Sequence, residues 1–160
     1  MAECAALMRT HLAGPAAALL TFLDALLFNL LIGNADAHSK NYSLLLEGAG
    51  APRVAPLYDL LSTRAYGRRL GRKMAMKYGG EYRPEWIRGR HLDRLGDDLG
   101  IAPRRVRIRA LEMIDRVGER GEAAREGLPP GWRDAPVLDP IGETVAEMSD
   151  SLRRAAQESA

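Results

Sequence analysis

The chain has one cysteine, Cys4, in 160 residues, so no disulfide can form within it and a disulfide-stapled mini-protein is excluded. Aromatic residues are few, at 6%, and they do not interleave with basic residues in the manner of an RNA-binding surface. Long hydrophobic runs are also lacking. The most apolar stretch, Pro15 to Gly33, is interrupted by Thr21, Asp24 and Asn29, and a carboxylate near its middle suits a buried amphipathic helix rather than a membrane span. The start of the chain has neither the basic residues nor the small-residue cleavage site of a signal peptide. What remains is 46% hydrophobic and 28% charged, the balance of a soluble globular domain. A mostly disordered chain is thereby excluded, and a reducing, cytoplasmic setting without membrane association is expected. The length suits one domain spanning 1–160, with 1–12 and 158–160 frayed.

Charge nearly balances at +2, but it is unevenly spread. Residues 1–63 hold three basic and five acidic side chains, whereas residues 64–90 hold nine basic ones against Glu81 and Glu85. Arg64, Arg68, Arg69, Arg72, Lys73, Lys77, Arg83, Arg88 and Arg90 could meet phosphate, nucleic acid or an acidic partner, or simply form a solvated face.

Periodicity predicts a mainly α chain. Leu19, Leu20, Leu23, Leu26, Leu27, Leu30 and Leu31 recur at helical spacing over residues 15–32, with Pro15 in the first turn and Gly33 as the stop. Asn34 to Asn41 is polar and reads as a loop. Tyr42–Glu47 and Arg53–Pro56 read as a small hairpin across the turn Gly48–Pro52, and Lys73–Tyr78 as a further short strand ended by Gly79-Gly80. Helices follow over His91–Leu99, closed by Gly100, and from Pro103 to about Val117. Residues 127–140 carry four of the nine prolines and mark a boundary before a last helix at about Ile141–Gln157. Trp86 and Trp132 are expected to pack loops onto the helical core. Ser39, Ser62 and Thr63 are expected to bond within turns, and His11 and His91 to lie at the surface or cap helices.

The chemistry concentrates in Gly33-Asn34-Ala35-Asp36-Ala37-His38-Ser39-Lys40-Asn41, a polar loop mounted between a buried helix and a strand. A second isolated carboxylate, Asp59, lies eighteen residues beyond Asn41, within Pro56-Leu57-Tyr58-Asp59-Leu60-Leu61-Ser62-Thr63. Between Tyr58 and Leu60 it needs a cation or hydrogen-bond donors to remain charged. Phosphoryl transfer uses such a set: one carboxylate to accept the proton of the attacking hydroxyl, and a carboxylate with an amide oxygen to hold Mg²⁺ on the nucleotide. Asp36 and Asn41 match the spacing D-x-x-x-x-N, and Asp59 follows after a hairpin.

The stretch Leu31-Ile32-Gly33-Asn34-Ala35-Asp36-Ala37-His38-Ser39-Lys40-Asn41-Tyr42-Ser43-Leu44-Leu45 resembles the catalytic loop of HipA-like serine/threonine kinases, the toxin components of bacterial toxin–antitoxin modules. So do Leu57 to Thr63 and Lys73 to Gly80. The D-x-H-x-x-N form is also similar to that of phosphoinositide-type kinases. The resemblance runs from about residue 15 to at least 118. It implies a protein-kinase-like C-lobe, helical with a small β-hairpin around the catalytic loop, with ATP and Mg²⁺ as cofactors. It further implies Asp36 as catalytic base, Asn41 and Asp59 as metal ligands, and His38 beside the transferring phosphate. Lys40 has no settled role. A protein substrate, in the family often of the translation machinery, a helix-turn-helix antitoxin and indirect DNA association are the implied partners. The residues before Asp36 contain no phosphate-covering loop and no lysine, so a lobe incomplete on its own is expected.

Two other readings stay open. A non-catalytic module could bind an antitoxin or nucleic acid through residues 64–90. A metal hydrolase could use Asp36, His38, Asp59 and His91, although no second histidine cluster follows at helical spacing.

Overall fold

In the computed structural model, residues 1–46, 48, 50–67 and 73–158 are described. Arg68, Arg69 and Arg72 of the basic run, and Glu47 and Ala49 of the expected hairpin, lie outside them.

Six α-helices form the body among the described residues: α1 (Ala2–His11), α2 (Pro15–Leu31), α3 (Gly89–Leu99), α4 (Pro103–Glu126), α5 (Pro130–Arg133) and α6 (Leu138–Gln157). The leucine stripe expected for α2 is buried on nearly every side, with Leu23, Leu26, Leu27, Leu30 and Leu31 almost fully removed from solvent. It packs against α1, α4 and α6, while α3 lies against α4 and α6. Leu92, Leu95 and Leu99 of α3, Val106, Ala110 and Ile114 of α4, and Met148 and Leu152 of α6 complete one core. Removing this much apolar surface from water is the main term holding the helices together.

Two ion pairs set the register of α4. Arg109 donates to both carboxylate oxygens of Asp24 on α2, at 2.7 and 2.6 Å. Arg107 grips Asp93 on α3 in the same way, at 2.8 and 2.7 Å. Such two-point contacts add orientation as well as attraction. Asp24, the charge that argues against a membrane span, therefore has a partner, and among the described residues no helix is long and apolar enough to cross a membrane.

Several expectations are corrected. Within residues 1–12, expected to fray, α1 buries Ala5 and Met8, Leu12 follows it into the core, and Arg9 donates to the carbonyl of Leu99. Three small or flexible apolar residues at helical spacing made a faint signal, but α2 and α3 supply a surface for them. Of the expected frayed end 158–160, residues 159–160 lie outside the described residues, and Glu158 meets the start of α3. Its carboxylate accepts from the Gly89 amide at 2.7 Å. Helix α4 runs nine residues past Val117, through the exposed Gly118 and Gly121, because the intervening Glu, Arg and Ala favour helix. Helix α6 starts at Leu138, with Pro140 tolerated in its first turn.

The β content is smaller than expected. β1 (Leu44–Leu45) and β2 (Arg53–Val54) form an antiparallel pair in the register Leu44↔Val54 and Leu45↔Arg53. Residues 73–78 form no strand. Met74 donates to the Tyr82 carbonyl and Ala75 to that of Ala35, both at 2.8 Å, so the backbone bonds go to two different segments rather than one ladder. Only an isolated Tyr78–Glu81 bridge resembles a sheet there.

Candidate active site

Helix α2 ends by changing direction at Gly33, whose φ is +66°. A side chain there would be strained, and its Cβ would meet Thr144 Cγ2 at 2.6 Å. The chain that follows has little regular structure and is stitched from outside. Thr63 Oγ1 accepts from the Ala35 amide at 2.7 Å and donates to the Gly33 carbonyl at 3.1 Å. The Arg64 amide donates to that same carbonyl, and the Ala75 amide holds Ala35 from the other side. These bonds place the 33–37 turn between two later segments and make residues 36–41 a mounted loop.

Within it, Asp36 is exposed, Ala37 buried, and His38 half-buried with its Nδ1 shielded and unpartnered among the described residues. Ser39–Asn41 form a single 3₁₀ turn that directs Asn41 inward. The Asn41 amide is used at both ends: Oδ1 accepts from the His38 N–H at 3.1 Å, and Nδ2 donates to Asp59 Oδ2 at 2.6 Å. Seventeen residues of intervening chain thus return Asp59 to the loop. Asp59 is the only described non-glycine residue with positive φ, at 57°. Its backbone carbonyl accepts from Asn34 Nδ2 at 2.8 Å. The structure therefore joins Asn41 to Asp59 directly and places Asp36 on the solvent side of the same loop. Lys40 is exposed, with its carbonyl bound by the Tyr58 hydroxyl.

A hard-oxygen dication would find suitable donors here. Asp59 offers a carboxylate and the neighbouring Asn41 an amide oxygen, which accepts from the His38 N–H while its amide nitrogen faces Asp59; the phosphate oxygens of a nucleotide would supply further ligands. Among the described residues no group of three His, Cys, Asp or Glu could hold a metal unaided. The hydrolase set is not assembled, because His91 Nδ1 accepts the Arg88 N–H at 2.9 Å and caps the start of α3.

Behind the loop lies a polar network that sequence reasoning missed. Asn34 Nδ2 donates to Asn29 Oδ1 at 2.8 Å, and Asn29 Nδ2 donates to the Ala25 carbonyl and to the Tyr42 hydroxyl, at 3.0 and 3.2 Å. Tyr42 packs edge-on against Phe22, and burial pushes its hydroxyl pKa up to about 12, so it stays protonated. The available signal was Asn29 itself, a polar side chain in the middle of a leucine stripe. Arg64 was also misplaced by charge counting. Its guanidinium is nearly buried and pairs with Glu85 and Glu147 at 3.4 and 3.6 Å, so it fixes the loop rather than facing a partner.

In the described part of the basic segment, two cations stack on aromatic rings of the same chain. Lys77 Nζ lies 5.1 Å from the Tyr82 ring centre and the Arg83 guanidinium 4.1 Å from that of Trp86. Trp86 and Trp132 do not anchor loops in the core; they are 53% and 65% exposed.

Comparison with known proteins identifies the family and the fold. A family model described as the HipA-like C-terminal domain matches residues 1–122. A Sinorhizobium fredii protein named provisionally as a kinase is 35% identical over 151 residues, covering 94% of this chain and 36% of its own. The serine/threonine-protein kinase toxin HipA of Shewanella oneidensis is 40% identical over 102 residues, covering 64% of this chain and 23% of its own. Among solved structures, a toxin–antitoxin complex of HipA, HipB and operator DNA from Shewanella oneidensis aligns with a TM-score of 0.78 at 27% identity, over 91% of this chain and 33% of that one. The chain thus spans about a third or less of the relatives it matches.

Proposed function

This chain belongs to the HipA-like C-terminal domain family, and from that premise we propose that it carries the base and metal-holding half of a serine/threonine protein kinase site. Asp36 accepts the proton of a protein hydroxyl as its oxygen attacks the γ-phosphorus of ATP and the bond to the β–γ bridging oxygen breaks. Asn41 and Asp59 hold Mg²⁺, which when bound neutralises charge on the nucleotide phosphates. His38 lies beside the transferring phosphate and offsets its charge by hydrogen bonding. Asp36 is open to solvent, as a base that meets a macromolecular substrate must be.

The observation that carries this reading is the 2.6 Å bond between Asn41 and Asp59, with Asp36 five residues before Asn41 on the same loop. A complete transfer requires a nucleotide-covering region in addition to these residues. Calorimetric titration with ATP, with and without Mg²⁺, tests the half-site. Metal-dependent nucleotide binding that Asp59→Ala and Asn41→Ala abolish supports it. Binding that ignores both substitutions refutes it.

A second reading has its own observation. The exposed Lys77–Tyr82 and Arg83–Trp86 pairs, with Arg88 and Arg90 nearby in sequence, form a cationic and aromatic surface suited to an antitoxin or operator DNA. Steeply salt-dependent DNA binding that Arg83→Ala with Arg90→Ala weakens would establish a direct nucleic-acid role; salt-insensitive or absent binding would remove it. Both readings place the protein in the bacterial cytoplasm.

A further inference from the structure

We infer that the buried Asn29–Asn34 amide pair holds Asp59 in its left-handed backbone conformation, which makes Asn34 a positioning residue for the metal-binding carboxylate. The part that concerns metal rests on the kinase reading above; the part that concerns the Asp59 backbone does not.

A non-glycine residue at φ +57° is disfavoured unless its surroundings impose the conformation. Asp59 is exposed and sits among exposed apolar residues, Leu57, Tyr58, Leu60 and Leu61, so packing does not impose it. Two side-chain bonds do. Asn41 holds the carboxylate and Asn34 holds the backbone carbonyl. Of these two residues, Asn34 is the more deeply buried, at 2% exposure, and Asn29 behind it is at 3%.

The amide geometry leaves Asn34 no alternative. Its two N–H groups are divided between Asn29 Oδ1 and the Asp59 carbonyl. Asn29 is fixed in turn, because its own two N–H groups go to the Ala25 carbonyl inside α2 and to Tyr42. The Asn34 backbone amide also donates to the Asn29 carbonyl at 2.9 Å, so the two residues are tied twice. A continuous line of hydrogen bonds therefore runs from the most buried helix to the strained carbonyl. Since an unpaired buried amide is costly, the Asp59 carbonyl is drawn to where Asn34 needs an acceptor.

The test replaces both amides by apolar groups of similar volume, Asn29→Leu with Asn34→Leu, so that neither is left unpaired and the fold survives. Thermal unfolding and circular dichroism verify that. The first readout is the intraresidue HN–Hα nuclear Overhauser effect of Asp59, which is strong at positive φ and weak at negative φ. Wild type should show the strong signal and the double variant should lose it. A strong signal retained in the folded double variant overturns the inference, whatever the protein binds. The second readout is Mn²⁺ affinity from water-proton relaxation. The double variant should bind at least about tenfold more weakly than wild type while melting normally. Equal affinity in the two proteins overturns the positioning role. If wild type itself binds no Mn²⁺, the kinase reading fails, and the Overhauser measurement alone decides the backbone claim.

Discussion

In the helical base, leucines from α2 and α3 meet Met148 and Leu152 of α6 and Val106, Ala110 and Ile114 of α4, and few polar atoms take part. From Gly33 to Arg64 the balance reverses. Among its described residues, that stretch contains only two two-residue strands in regular extended structure. Side chains such as Asn34, Asn41 and Thr63 provide the bonds that a helix or sheet would have made between backbone groups. The base is held mainly by burial, which is non-directional, with the Arg109–Asp24 and Arg107–Asp93 pairs fixing the register of α4. The loop tolerates only those residues that donate and accept at the right points. A rigid apolar base carrying a loop fixed by polar side chains lets functional groups be placed without regular structure.

If that contrast is correct, substitutions in the two regions should differ in kind as well as in size. Leu26→Ala empties fully buried space in α2 and should cost about 2–5 kcal/mol, read as a fall in the urea midpoint of the whole domain. A loss confined to a few loop amides would contradict a shared core. Gly33 joins the two regions. Gly33→Ala should cost about 1–3 kcal/mol from the left-handed backbone alone, with further loss from crowding Thr144, and should disturb both the end of α2 and the loop. Thr63→Val keeps the shape but removes a bridge. It should cost about 1–2 kcal/mol and accelerate hydrogen exchange at the Ala35 amide, while amides of α3 and α4 exchange as before.

The smallest effect is electrostatic and belongs to the base. His91 has a pKa below its usual 6.5, because burial opposes charging and Arg90 repels the proton. The unfolded chain then binds that proton more readily than the folded one. Stability should be full above about pH 6.5 and decline as pH falls from there toward the folded-state value. Urea titrations at pH 7.5 and pH 5.5 should show this decline in wild type and a smaller one in His91→Asn, whose amide oxygen can still accept the Arg88 N–H. Asp93 acts lower on the scale. The Arg107 guanidinium holds its pKa below 3.8, so the stability it contributes is lost only as pH falls below that range.

Much of the base was legible in the sequence because burial writes itself as period. The leucines of α2 and the glycine stops at Gly33 and Gly100 fell where the structure has them. Helix α1 escaped notice because three small or flexible residues make a faint stripe, and the partners that bury them lie elsewhere in the chain. Alternation misled at 73–78. Met74 is buried and Ala75 exposed as in a strand, yet their backbone bonds go to different segments. For the loop, spacing alone drew attention to Asp36, His38, Asn41 and Asp59, and the contact between Asn41 and Asp59 is present. Asn29, Asn34 and Thr63 were not recognised as partners of that loop, since a short polar side chain gives no sign of an acceptor 25 or 30 residues away.

The most direct test of the site is where a bound dication sits. Mn²⁺ added with ATP broadens amide resonances near it. The account predicts broadening centred on residues 36–41 and 58–60 and lost in Asp59→Ala. Broadening centred elsewhere, or unchanged in Asp59→Ala, would contradict the assignment of Asn41 and Asp59 as the metal-holding pair.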